Sequence, residues 1–231
     1  MNVALIVAAG NGTRMNIEQP KQFIMVNDKP LFVYSVEAFQ KNPHIDMIFI
    51  ATNASYIEKV ETWCKEFGLT KIKSVFLGGE TRQSSVWNGL KKMHDYIKSP
   101  HDIVLIHDAA RPLISQRIID DNISLCERYG AVDTVIQASD TIIQSKDDET
   151  IDEILNRNEL YQSQTPQSFE YGIINEAHFM ALTDGVPNVT DDCKLVMYFG
   201  GEVHFVPGDK LNFKVTTFED LELFRALVNK I

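Results

Sequence analysis

An apolar run that empties into glycines at the very start constrains this chain more than any other feature. Val3 to Val7 is uniformly apolar, and Ala8, Ala9, Gly10 and Gly12 follow it. A run without polar alternation predicts a strand buried on both faces, as in a parallel sheet. Residues with little or no side chain then let the backbone approach another molecule closely. Arg14 and Lys21 add fixed positive charge just beyond. Small residues after a first strand, followed by cations, predict a loop that wraps polyphosphate. Taken alone, the stretch has a second, weaker reading as a tight turn with surface cations. A nicotinamide-type fingerprint is disfavoured: the third glycine would fall near Thr13 and Arg14, and Pro20 stops a long helix.

Strands and helices alternate after this loop. Helical spacing covers Pro30 to Gln40, Ser55 to Phe67, Ser84 to Ile97 and Gln116 to Tyr129, with strands at 47–51, 72–77 and 103–106. This order predicts a parallel sheet covered on both faces, with ligands beyond the carboxyl ends of its strands. The polar clusters Gly10–Arg14, Gly78–Ser85 and His107–Pro112 each follow a predicted strand. Near Asp133 the pattern changes. Val135 to Ile143 and Thr150 to Ile154 read as strands flanking a charged turn, a hairpin with little core of its own that would pack on another subunit. A helix over Glu170 to Leu182, a strand at 203–206 and a closing helix over Thr217 to Val228 complete the reading.

With 231 residues the chain suits one α/β domain, 1–231, with 136–156 as a protruding β-arm. Its net charge of −10 argues against a general nucleic-acid binder. Cys64, Cys126 and Cys193 lack metal-type spacing and fit buried thiols in a reducing compartment. No stretch approaches a membrane span, and no signal peptide is read, so a cytoplasmic location is expected.

The chemistry is read from the loops. Gly79 to Ser85 sits at a strand-to-helix junction, where amides and hydroxyls bind a base edge, a ribose or a phosphate, or where Thr81 or Ser84 merely caps a helix. Asp108 is placed like a Mg²⁺ ligand or ribose acceptor and Arg111 like an anion receptor; an internal Asp–Arg pair is the alternative. Arg157 and Gln164-Thr-Pro-Gln167 bring a cation near a hydroxyl, Thr190-Asp-Asp192 resembles a helix cap, and alternation sets Lys214 opposite Phe213. His107 reads as a structural histidine rather than a general base.

Together these segments resemble the cytidylyltransferases that act on five-carbon polyol phosphates. The resemblance rests on Ala8-Ala-Gly-Asn-Gly-Thr-Arg-Met15, Pro20-Lys-Gln22, Gly78-Gly-Glu-Thr-Arg82, His107-Asp-Ala-Ala-Arg-Pro112, Asp140-Thr141, Gln164-Thr-Pro-Gln167 and Asn212-Phe-Lys-Val-Thr216. It implies a Rossmann-like, mostly parallel sheet of the nucleotidyltransferase type, with the inserted hairpin serving as a dimerisation arm. It implies CTP and a polyol phosphate as partners, with no nucleic acid or membrane, and Mg²⁺ or another divalent cation at Asp108. Arg14, Lys21 and Lys214 would be catalytic. Ala8, Ala9, Gly10, Gly12, Gly79, Glu80, Arg82, Ser85, Asp108 and Ala109 would bind CTP. Asp108, Arg111, Thr141, Arg157, Thr165 and Lys214 would hold the acceptor. Ala8-Ala9 and His107-Asp-Ala-Ala-Arg111 resemble the methylerythritol-phosphate type of isoprenoid synthesis. The stretches 129–135, 140–145, 156–162 and 192–194 resemble the ribitol-phosphate type of teichoic acid or capsule synthesis, and on them ribitol 5-phosphate is favoured. A nucleotide-binding module without turnover and an NTP:sugar-1-phosphate transferase stay open beside it.

Overall fold

The computed structural model describes residues 1–10, 19–186, 189 and 191–229. Gly12, Arg14 and Thr190 lie outside the described residues. In chain order the elements are β1 (Asn2–Ala8), the short pair β2 (Met25–Val26) and β3 (Lys29–Pro30), α1 (Leu31–Lys41), β4 (Met47–Thr52), α2 (Ile57–Glu66) and β5 (Ile72–Leu77). Then come α3 (Arg82–Met93), β6 (Ile103–Asp108), α4 (Gln116–Tyr129), β7 (Ala131–Gln137), β8 (Ile143–Gln144) and β9 (Glu153–Ile154). The last are β10 (Tyr161–Glu170), α5 (Tyr171–Thr183), α6 (Asp192–Tyr198), β11 (His204–Pro207) and α7 (Phe218–Val228). Among the described residues no helix is long and apolar enough to cross a membrane.

Seven strands form one sheet in the order β11-β7-β10-β6-β1-β4-β5. β1 pairs parallel with β4 and β6, β4 with β5, and β11 with β7, whereas β10 runs antiparallel to both its neighbours. The Rossmann-like, mostly parallel reading therefore holds. β1 is buried on both faces for the reason its sequence shows. Ala4 and Ile6 enter one apolar layer with Phe32, Val36 and Ile118, and Val3 and Leu5 enter the opposite layer with Val86, Leu90 and Phe169. Gly130, at φ 78°, ends α4 in the left-handed region that its missing Cβ permits.

Three expectations are corrected. No continuous strand covers 135–143: Val135, Ile136 and Gln137 end β7 inside the main sheet, and the arm hairpin keeps only the short β8–β9 pair. The helix expected to reach Ile97 stops at Met93, and it starts at Arg82 because Thr81 caps it, its hydroxyl accepting from the Ser84 amide. The third is at Gln164-Thr-Pro-Gln167, where the sequence shows no strand and the structure places the inner strand β10. Its residues are mostly polar and include Pro166, which argues against an inner strand. A register shift between Ser163 and Gln167 accommodates the proline, and side chains satisfy what the ladder leaves. Thr134 donates to the Pro166 carbonyl at 2.6 Å, and Ser168 donates to Asn122 Oδ1 at 2.8 Å.

Candidate active site

A cleft of about 620 Å³ opens at the carboxyl ends of β1, β4, β5 and β6. Ala8, Ala9 and Gly10 form one strip of its lining and Gly78 and Gly79 another. Neither glycine could carry a side chain. A Cβ on Gly78 would meet Ala9 Cβ at 2.5 Å, and one on Gly79 would meet Ser84 Oγ at 2.1 Å. Ser85 fixes this corner, since its Oγ accepts from the Gly79 amide at 2.9 Å and lies 2.9 Å from the Thr81 carbonyl. Glu80, Arg82, Asp108 and Ala109 also line the cleft.

Lys21 reaches the cleft from a turn anchored at two points. Phe23, fully buried, stacks on Tyr56 at 4.2 Å between ring centres. Gln22, 3% exposed, donates through Nε2 to the carbonyls of Ala8 at 2.6 Å and Gly10 at 2.8 Å. The structure thereby gives Gln22 a role that the sequence reading left unassigned, tying the cation-bearing turn to the small-residue loop. Its only sequence signal is adjacency to Lys21.

Lys214 lines the same cleft from a distant part of the chain. The segment that carries it is not a strand, so alternation with Phe213 does not set its direction. Asn212, fully buried, donates to Gln164 Oε1 and the Thr165 carbonyl, and the Val215 amide donates to the Ala110 carbonyl at 2.8 Å. Between these two anchors Lys214 Nζ reaches Asp108 Oδ2 at 2.7 Å. Arg82 Nε lies 3.7 Å from Asp108 Oδ1. Burial works against the Asp108 charge, but Lys214, Arg82 and Arg111 outweigh it and hold the carboxyl well below the usual range.

Arg82 is committed behind the cleft wall as well as within it. Its Nη1 pairs with Asp192, whose other oxygen lies 3.1 Å from His178 Nε2. Asp192 and His178 are both essentially inaccessible. Burial opposes the Arg82 charge, and Asp192 and Asp108 restore it. Asp191, beside them, caps α6 by accepting from the Lys194 amide, so the cap reading of this stretch holds.

His107 is buried and pushed down to about 4 by that burial, so it is neutral. Its Nε2 lies 3.1 Å from the Arg111 carbonyl, which can only accept, so Nε2 carries the proton. Nδ1 then accepts from the Thr165 hydroxyl at 3.0 Å, and that oxygen accepts from the Asp108 amide at 3.1 Å. The relay positions Thr165 and Asp108 and supports a structural His107. The alternative reading, an Asp108–Arg111 ion pair, is not formed: Asp108 pairs with Lys214 and Arg82. Arg111 Nη1 donates to the Asn212 carbonyl at 2.8 Å and its Nη2 to the Ser163 carbonyl at 3.5 Å, while buried Nε has no partner among the described residues. Thr141 and Arg157 do not line the cleft of their own chain; both are exposed at the arm, where Arg157 donates to the Ser139 carbonyl at 3.3 Å.

No group of three or more His, Cys, Asp or Glu side chains among the described residues could cage a metal ion. The donor set nevertheless fits Mg²⁺ in its usual phosphate-assisted form, which needs one or two carboxylates and takes its other ligands from substrate and water. Asp108 is an ionised carboxylate on the cleft lining with lone pairs beyond its two cationic contacts.

Strips of small residues at the carboxyl end of a parallel sheet, faced by two lysines from distant parts of the chain, suit a nucleotide whose phosphates meet a second anion. This is the layout of a nucleotidyltransferase. Residues 2–230 match the IspD family, 2-C-methyl-D-erythritol 4-phosphate cytidylyltransferase. The chain belongs to that family and is a cytidylyltransferase. It is 40% identical to a 2-C-methyl-D-erythritol 4-phosphate cytidylyltransferase of Clostridium novyi, over 100% of this chain and 97% of that protein. It is 38% identical to a ribitol-5-phosphate cytidylyltransferase of Lactiplantibacillus plantarum, over 100% of this chain and 99% of that one. Among solved structures, the 4-diphosphocytidyl-2C-methyl-D-erythritol synthase of Anaerococcus prevotii superposes with a TM-score of 0.83 at 27% identity, covering 99% of this chain and 98% of that one.

Proposed function

We propose that the chain moves CMP from CTP to the phosphate of a five-carbon polyol phosphate and releases pyrophosphate, with ribitol 5-phosphate as the acceptor ahead of 2-C-methyl-D-erythritol 4-phosphate. The observation that carries the reading is that Lys21 and Lys214, from distant parts of the chain, line one cleft with the small-residue strips. An acceptor phosphate oxygen attacks the α-phosphorus of CTP in line, the bond to the β-phosphate oxygen breaks, and pyrophosphate leaves. The nucleophile is already ionised, so catalysis is positioning and charge neutralisation. Ala8, Ala9, Gly10, Gly79 and Ser85 hold base and ribose, largely through backbone groups. Arg14 and Lys21 neutralise the triphosphate, and Lys214 and Arg111 hold the acceptor. Asp108 would hold Mg²⁺, which when bound neutralises phosphate charge.

The acceptor preference is supported by the resemblance of the stretches 129–135, 140–145 and 156–162 to ribitol-phosphate enzymes. The chain acts as a homodimer through the 136–156 arm, and Thr141 and Arg157 reach the acceptor in the partner's cleft. The exposed apolar side chains of Ile143, Ile151 and Ile154 on that arm support the reading. The enzyme is cytoplasmic, in keeping with three buried free thiols. Steady-state pyrophosphate release with CTP and each polyol phosphate tests the proposal. A large preference for methylerythritol phosphate overturns the acceptor assignment, and faster turnover with UTP, GTP or ATP overturns the nucleotide assignment.

A further inference from the structure

Asp133 is a buried carboxylate that the reaction described so far does not use. It lies on β7 opposite Gln167 of β10, which in turn faces Ile106 of β6. Directly opposed residues of antiparallel strands share a face, and so do residues two apart on one strand. Asp133 therefore projects from the same side of the sheet as Asp108, two strands over. It is 9% exposed. Its Oδ1 accepts from Ser163 Oγ at 3.0 Å and from Gln167 Nε2 at 3.1 Å. Among the described residues its Oδ2 accepts no hydrogen bond. Gln167 is held from several sides, with Nε2 also 2.8 Å from Asp191 Oδ2 and Oε1 accepting from the Asp192 amide. Ser163 joins Asp133 to Arg111, since its carbonyl accepts from Arg111 Nη2.

We infer that Asp133 is a specificity-determining residue for the acceptor, its idle oxygen accepting hydrogen bonds from hydroxyls of an unbranched polyol chain whose phosphate lies on Arg111 and Lys214. The inference rests on the proposed function and says which acceptor the site favours. An ionised carboxylate oxygen has lone pairs for further donors, and a neutral hydroxyl supplies a donor without adding charge. A phosphate is excluded from this end, because Asp133 and Asp191 stand together there and repel it. A methyl branch would desolvate the carboxylate and return nothing. Burial pushes the Asp133 carboxyl up to about 6, as befits a group short of donors.

The test compares Asp133→Asn with the unaltered enzyme on CTP and three kinds of acceptor: ribitol 5-phosphate, 2-C-methyl-D-erythritol 4-phosphate, and ribitol 5-phosphates lacking one hydroxyl. With ribitol 5-phosphate, kcat/KM should fall about 10- to 100-fold while the KM for CTP stays within about twofold and the methylerythritol compound loses less than about threefold. One deoxy compound should be a correspondingly poor acceptor for the unaltered enzyme and lose nothing further in the variant. An equal loss on both natural acceptors, or no loss, overturns the inference. If Asp133→Asn does not fold, Asp133→Ser is read in the same way. A deoxy series used uniformly by the unaltered enzyme overturns it as well. An unaltered enzyme that turns over neither polyol phosphate removes the proposed function itself, an outcome visible before any variant is made.

Discussion

Lys214 Nζ lies 2.7 Å from Asp108 Oδ2, and both residues line the cleft. A cation held by a carboxylate is preorganised rather than free to follow its substrate, which is what charge stabilisation in a transition state requires. Lys214→Ala should lower kcat by about 100- to 1,000-fold. Its partner Asp108 is buried but keeps Arg82, so the variant should stay folded with a modestly lower unfolding midpoint. Lys21→Ala and Arg14→Ala should likewise cut turnover by orders of magnitude with the fold intact, as circular dichroism and pyrophosphate release would register. Unchanged rates for Lys21→Ala and Arg14→Ala would remove the triphosphate assignment.

Gly79→Ala tests the nucleotide corner. The added Cβ would fall 2.5 Å from Ser84 Cβ and 2.8 Å from its backbone carbon, so the loop must shift as a unit. A displacement of that kind should reduce kcat/KM for CTP by about 10- to 100-fold. The acceptor KM, measured at saturating CTP, should stay near its original value.

Arg82 and Asp192 form a pair in which Asp192 is 2% exposed. Removing one partner leaves an uncompensated charge in the wall between β10 and α3. Asp192→Asn should destabilise the fold by about 3–5 kcal/mol. The double variant Arg82→Gln with Asp192→Asn should recover part of that loss in urea titrations, because neither charge is stranded.

Two buried groups impose opposite pH dependences. His107 has a folded-state pKa of about 4, below its ordinary 6.5, so the unfolded chain binds the extra proton between those values. Its contribution is complete above pH 6.5 and is lost as pH falls to 4, a change of about 3 kcal/mol. Asp133 is raised from 3.8 to about 6, so its contribution is complete below pH 3.8 and is lost as pH rises through 6, by about the same amount. The two nearly cancel in the unaltered protein. Relative to it, His107→Asn should lose stability between pH 4.5 and 7.5 and Asp133→Asn should gain it, measured as unfolding free energy at both pH values.

If Arg157 serves the partner's cleft, Arg157→Ala and Lys214→Ala subunits are inactive separately for different reasons. A mixed dimer then carries one doubly damaged site and one intact site. Refolding the two together should restore about a quarter of the original activity, the share expected for random isologous pairing. Recovery of nothing would place Arg157 and Lys214 in the same cleft of one chain.

Much of the sheet was legible because β1, β4 and β6 are covered on both faces and so appear as unbroken apolar runs. The end of α4 at Gly130 and the cap of α6 by Asp191 were legible because they obey local backbone geometry. β10 was not. Most of its buried side chains are polar, and its polar groups find partners elsewhere in the chain: Thr134 and Asn212 donate to the carbonyls of Pro166 and Thr165, and Asn122 accepts from Ser168. The same distance hid Gln22, whose side chain matters because of two carbonyls on a different element.

Residues 3 to 22, read alone, already specify a strand, a turn of small residues and a following cation, because each depends on local side-chain size and backbone freedom. Which charges meet is another matter. Lys214 facing Asp108, Arg82 shared between Asp108 and Asp192, and Asp133 set beside Arg111 all follow from strand order and register. Those are fixed by burying apolar faces across the whole sheet, and no single segment encodes them.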